Sequence, residues 1–302
     1  MTPIQRSYVE LHIAVFLFGF TAILGDLISL PALSLVWWRV FFTTLSFPFI
    51  VPVIRLFRTT PTKTLLKFMG IGLIVALHWV CFFGAIKLSN PSIVLVCMAT
   101  TSFFTSLVEP IFSKKKIKTY EIVLGLMIVP GMILIVNGAE VGMLLGIGIG
   151  LTAALLAAFF ATLNKLLVGK LDEKSVSFLE LGSAWLFLSL VIPVYYWFSE
   201  EGRSLDFWPQ STDWLYLTIL ALLCTTLAYV LALRSLRHLT AFASNLTVNL
   251  EPVYGIVLAF LLLDDKQELD PGFYWGALVI LLAVFSYPVM RRWNKRKQNS
   301  TL

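Results

Sequence analysis

Apolar residues gather into ten long stretches along this chain, roughly 11–30, 33–54, 66–88, 91–112, 119–138, 142–169, 175–198, 212–236, 240–263 and 271–290. Pro, Gly and charge clusters mark their ends, and none shows the two-residue alternation of a membrane barrel strand. About 20 apolar residues in a helix cross a bilayer, and a helix satisfies its own backbone polar groups there. The pattern therefore predicts an all-α integral membrane protein: ten transmembrane helices, segments one to ten, joined by short loops in one compact bundle. The polar stretches 199–214 and 291–302 are too short to fold independently.

Composition agrees, with 58% hydrophobic and 13% charged residues, which excludes the soluble globular class. A net charge of +6 would suggest nucleic acid in a soluble protein, but here the placement of the basic residues explains it. On the side of the N-terminus fall Arg6, then Arg55, Arg58, Lys63 and Lys67, then Lys114, Lys115, Lys116 and Lys118. Lys165, Lys170, Lys174, Arg234, Arg237 and the tail from Arg291 to Lys297 join them. The other side holds only Lys87, Arg203 and Lys266, and Arg39 lies inside a segment. Basic loops stay in the cytoplasm, so both termini are expected there, in a bacterial cytoplasmic (inner) membrane, with lipid as surroundings and no nucleic-acid partner. The first segment follows Arg6 and Glu10 and carries Asp26, and reads as an uncleaved helix. Cys81, Cys97 and Cys224 fall within predicted spans without CxxC spacing, so neither a disulfide framework nor a metal site is expected.

The halves repeat an order of features. Segment four ends Leu107-Val108-Glu109-Pro110-Ile111 and segment nine contains Leu250-Glu251-Pro252-Val253. Segment five carries Gly125 to Gly131, and segment ten Gly276 to Ala283. The two matches need different offsets, so the repeat is one of helix order, and the Glu-Pro match is open to being a coincidence. Five is odd, so a second five-helix unit enters the membrane from the opposite side. This predicts two inverted repeats, 1–138 and 139–302, the second with a basic cytoplasmic tail, and a solute path between them.

Several short motifs accompany this order: Trp37-Trp38-Arg39-Val40-Phe41-Phe42, Gly84-Ala85-Ile86-Lys87-Leu88, Ala232-Leu233-Arg234, Asn249-Leu250-Glu251-Pro252, and the glycines of segments five and ten. Together they resemble the EamA-like members of the drug/metabolite transporter superfamily over nearly the full length. The resemblance implies transport or export of small metabolites. That family usually has Pro in the middle of its fourth helix, where this chain reads Thr100-Thr101-Ser102, and an acidic Gly-Glu where segment nine ends in Asp264-Asp265.

Polar residues inside apolar segments are the candidate chemistry. Glu251, midway through segment nine, reads either as a proton or substrate-amine site or as a carboxylate fixing helix packing. Asn245 and Asn249 share a helix face. Arg39 sits about two turns from the outer end of segment two. It is expected to snorkel or to pair with Asp26 or a carbonyl, unless the substrate is an anion that it holds with two bonds. His78 offers a proton relay or an interhelical bond, and Trp79 and Tyr229 offer substrate stacking or packing. Thr100, Thr101, Ser102 and Thr105 form a patch that would oppose Asn245, Thr247 and Asn249, although hydroxyls also bond back to their own helix. Asn164 and Lys165 suggest an inner gate, while Glu109 and Glu180 lie near inner ends, in reach of water or Lys114–Lys116. Gly142, Gly146 and Gly150, continued by Ala154, Ala157, Ala158 and Ala161, predict close helix packing.

The expected function is a secondary transporter of small organic metabolites, an exporter with alternating access, with proton coupling as an option. The alternative is a polytopic membrane enzyme acting on a lipid-linked substrate, but His12, His78 and His238 are scattered and no acidic pair suits acid–base chemistry. A scaffold would carry larger extramembrane surfaces, and no filter-like sequence suggests a channel. No catalytic residue, metal or cofactor is expected. The partner is a small solute, and the oligomeric state is left open.

Overall fold

The described part of every apolar stretch is mostly helix in the computed structural model, which describes residues 1–135, 143–251, 253–254 and 271–300. Helix α1 (Pro3–Leu27) opens at a reciprocal cap, where the Thr2 side chain accepts from Gln5 N and Gln5 accepts from Thr2 N. Segment two is α2 (Ala32–Ser46) plus a 3-10 turn, Phe47–Phe49, and so ends earlier than the hydropathy suggests. Pro48 and Pro52 stop it, because proline has no amide hydrogen to continue the ladder. The residues beyond form a separate short α3 (Val53–Thr59) with Ile54 and Phe57 exposed. Then come α4 (Thr62–Leu88), α5 (Pro91–Ala99), α6 (Thr101–Ser113), α7 (Thr119–Ile135), α8 (Leu144–Leu167) and α9 (Glu173–Phe198). They are followed by α10 (Glu200–Arg203), α11 (Asp213–Ala221), a π-helical turn at Leu222–Leu227, α12 (Ala228–Ser235), α13 (Ala241–Val248) and α14 (Pro271–Ser300).

Among the described residues all regular structure is helical, and eight helices are long and apolar enough to cross a membrane, with Thr119–Leu134 a shorter apolar one. This is a multi-pass membrane architecture. Helix α13 is the described beginning of segment nine. Pro252, Asp264, Asp265 and Lys266 lie outside the described residues, as do Gly142 and the expected boundary at 138/139.

Contacts between helix ends sort into two groups. At one end Glu10 bonds Arg6 and Arg234, Lys165 Nζ donates to Leu236 O at 2.6 Å, Arg237 pairs with Glu173, and Thr240 bonds Tyr287. At the other, Asp213 accepts from Ser29 N and Oγ, Lys87 Nζ donates to Ile28 O, and Trp38 Nε1 donates to Phe207 O. The first group includes Arg6, Lys165, Arg234 and Arg237, all counted above on the side of the N-terminus.

Between the ends, α4 packs against α8 and α9. The small-residue face of α8 permits this: a Cβ on Gly146 would meet Ser89 Cβ at 2.8 Å, and one on Gly150 would meet Cys97 Cβ at 3.0 Å. Ala153, Ala154 and Ala158 are fully buried on the same face.

Candidate functional site

Segments four and nine are both interrupted. In segment four α5 stops at Ala99 and α6 begins at Thr101, with Thr100 Oγ1 donating to Cys97 O at 2.6 Å. In segment nine α13 ends at Val248 and Asn249 takes ψ of −3°. Hydroxyl and amide side chains that compete for backbone groups sit at both breaks.

A cavity of about 140 Å³ lies beside these breaks. Glu251, Asn249, Asn245, Arg39, His78, Trp79, Thr101 and Tyr229 all line it, among apolar walls that include Phe18, Phe82, Met98 and Phe160. Residues from five separate segments thus meet around one space.

Arg39 differs from its expectation. It is 1% exposed, whereas Asp26 is exposed, so the side chain neither snorkels nor pairs with Asp26. Instead Nε donates to Thr225 Oγ1 at 2.7 Å, and the guanidinium carbon lies 4.1 Å from the Trp79 ring centroid and 5.5 Å from that of Phe83. A cation over an aromatic face is attracted by the ring's quadrupole. The π-helical turn delivers Thr225: its hydroxyl donates five residues back, to Leu220 O at 2.7 Å, and keeps a lone pair for Arg39. Nη1 of Arg39 has no hydrogen-bond partner among the described residues. Half-buried Glu251 is close enough to Arg39 for a coulombic interaction.

The polar patches of segments four and nine bond directly. Asn245 Nδ2 donates to Thr105 Oγ1 at 2.7 Å and Asn249 Nδ2 donates to Ser102 Oγ at 3.0 Å. Both hydroxyls also donate to their own helix, at Thr101 O and Ala99 O, so the two readings of these residues hold together. His78 Nδ1 lies 2.8 Å from Ala153 O, an acceptor only, so Nδ1 carries the proton and ties α4 to α8. Trp79 meets Tyr229 edge-on at 6.3 Å between centroids.

Six pairs of lining residues stand a constant 150 positions apart: Trp79 and Tyr229, Phe82 and Ala232, Leu95 and Asn245, Met98 and Val248, Ala99 and Asn249, Thr101 and Glu251. At this spacing Glu251 pairs with Thr101, whereas Glu109 is not among the lining residues.

Glu109 and Glu180 also depart from expectation. Glu109 is not left to water or Lys114–Lys116. Its Oε2 accepts from Phe242 N at 2.8 Å and, with Thr240 accepting from Ala243 N, caps the start of α13. Glu180 is fully buried, and its Oε2 accepts from Tyr229 Oη at 2.5 Å and from Asn164 Nδ2 at 3.3 Å. The residue pattern did not single out Thr225, and it placed Glu180 in reach of water or Lys114–Lys116 and not in a buried bond with Tyr229 and Asn164. For Glu180 a signal existed, since it stands two turns beyond the start of α9.

The model of the EamA-like transporter family matches residues 7–137 and again 144–287. A curated relative, "Uncharacterized transporter YxxF" of Bacillus subtilis (strain 168), is 22% identical over 298 residues, covering 96% of this chain and 92% of its own. A solved crystal structure 13% identical shares the fold, with a TM-score of 0.71 over 95% of this chain and 97% of that one.

Proposed function

The chain belongs to the EamA-like transporter family, and from that premise we propose that it is a secondary transporter exporting small organic metabolites by alternating access. The observation that carries this reading is the single cavity lined by all eight polar and aromatic candidates, at the breaks of segments four and nine. Broken helices with polar ends beside a central cavity suit a site that opens to either face. The constant spacing of the six lining pairs, and the two stretches matched by the family model, support two inverted five-helix repeats, 1–138 and 139–302. Ten crossings with both termini in the cytoplasm of a bacterial inner membrane complete the arrangement, from the basic loops.

Within the cavity Arg39 presents an unpaired N–H and Glu251 a carboxylate with no side-chain hydrogen bond to a described residue. A solute bearing both an anionic and an amine group engages both, and Trp79 and the phenylalanines take its apolar part. Proton coupling accompanies export.

Metabolite release from cells with and without the chain names the solute, and its flux into proteoliposomes tests the reading. Glu251→Gln is expected to lower flux of amine-bearing solutes at least about tenfold, the loss of roughly 1.4 kcal/mol of binding. Unchanged flux assigns Glu251 to packing alone. Turnover of a lipid-linked substrate without solute flux replaces the transporter with the enzyme alternative.

A further inference from the structure

Behind the cavity wall lies a buried carboxylate that solute binding leaves unused. Glu180 is fully buried and does not line the cavity, but both of its hydrogen-bond donors, Tyr229 and Asn164, do. All the bonding is to Oε2. Oε1 of Glu180 and Oδ1 of Asn164 are buried without a partner among the described residues. Neighbouring helices bring no cation to it. Of their titratable or charged groups, Tyr229 alone bonds Glu180. His78 is turned to Ala153, Arg39 to Thr225 and Trp79, Lys165 to Leu236, Arg234 to Glu10, and Lys87 to Ile28. Lys63, Lys67 and Arg203 are exposed.

We propose that Glu180, Tyr229 and Asn164 form a proton-binding site, filled from the cavity, whose occupancy couples proton movement to solute movement; the coupling rests on the transporter reading above.

The chemistry follows from the atoms. An ionised carboxylate buried without a cation is costly, and a proton removes that cost. Asn164 can serve both states. With Nδ2 toward Glu180 it donates to the carboxylate. A half-turn of the amide keeps the 3.3 Å contact and presents Oδ1, an acceptor for a proton on Glu180. Tyr229 supplies the path: its hydroxyl passes its own proton to Glu180 Oε2 as it takes another from a hydronium ion on the cavity side, which is left as water. The same Tyr229 ring meets Trp79, over which Arg39 lies, so the state of Glu180 reaches the solute groups through one side chain.

Two measurements on the full chain test this. Infrared difference spectra between acid and alkaline pH, in lipid nanodiscs without solute, are expected to show the C=O stretch of a protonated carboxyl in the wild type and in Glu251→Gln. The band is expected to vanish in Glu180→Gln, and its survival there overturns the site. Tyr229→Phe, a gentler change should the glutamine variant fail to fold, is expected to alter at least tenfold the proton concentration at which the band titrates; an unaltered midpoint overturns Tyr229's part. In proteoliposomes Glu180→Gln is expected to lower, at least tenfold, the ratio of pH-gradient-driven accumulation to solute exchange; an unchanged ratio overturns the coupling. Should the band be lost in Glu180→Gln while the wild type moves no solute, the proton site stands and the transporter reading fails.

Discussion

Arg39→Leu is expected to reduce solute flux in proteoliposomes by roughly 30-fold or more. A hydrogen bond to a charged group contributes about 1.5–3 kcal/mol and a desolvated cation–π contact about 2 kcal/mol, and each 1.4 kcal/mol is about tenfold in binding. Arg39 is the buried cation of the cavity, held by Thr225 and the Trp79 face with one N–H left over. Leucine fills much of the space but returns none of these interactions, and it leaves Glu251 without its neighbouring cation. The single variant is thus expected to melt earlier as well. Arg39→Leu combined with Glu251→Leu separates the two effects. Removing both charges restores thermal stability, because an apolar pair replaces the ionic one without leaving an orphan, but flux stays low. Single-variant flux within about threefold of wild type, under 1 kcal/mol, would remove Arg39 from solute recognition.

Gly72 governs the second large effect. A Cβ there would stand 2.0 Å from Glu180 O and 2.2 Å from Ser183 Oγ. The nearer of these is backbone, which no rotamer change can move. Gly72→Ala therefore forces α4 and α9 apart, and overpacking of this kind costs about 1–3 kcal/mol, occasionally more. Gly70, two positions earlier on the same helix, has nothing within 4 Å of its added Cβ. Gly70→Ala is expected to be neutral or to stabilise by up to about 1 kcal/mol, from the lower cost of ordering the chain. Thermal unfolding of the two variants in one detergent makes the comparison. Equal melting points would mean that α4 and α9 do not approach as described.

Much of this architecture was legible because lipid leaves few options. Apolar stretches located the helices, and the basic loops foretold which helix ends bond one another. The facing patches Asn245–Thr105 and Asn249–Ser102 were legible because corresponding segments carry polar residues at matching depth. Repeated letters were a poorer guide than repeated geometry, since Glu109 caps a helix at one end while Glu251 faces the cavity. Three features left little or no such trace. The π-helical turn depends on hydroxyl bonds five residues back, which Thr225 and Thr226 make but no residue type announces. The setting of Arg39 is assembled by three helices distant in sequence. Glu180 resembles an ordinary carboxylate near a helix start, and only the packing of Gly72 against its carbonyl shows how deep it lies.

The seam between segments four and nine also bears on how the protein is made. Asn245 and Asn249 find their acceptors in the first half of the chain, and Glu251 its neighbouring cation there. In lipid alone these groups have nothing to bond to, and hydrocarbon excludes them. Segment nine is therefore stable across the bilayer only once Thr105, Ser102 and Arg39 are already in place, and synthesis from the N-terminus supplies them first. A chain truncated to residues 139–302 is expected to leave segment nine at the membrane surface, reachable by a thiol reagent directed at a cysteine placed at Asn249, and co-expression of residues 1–138 is expected to bury it. The first half thereby completes the environment that the second half's polar groups require.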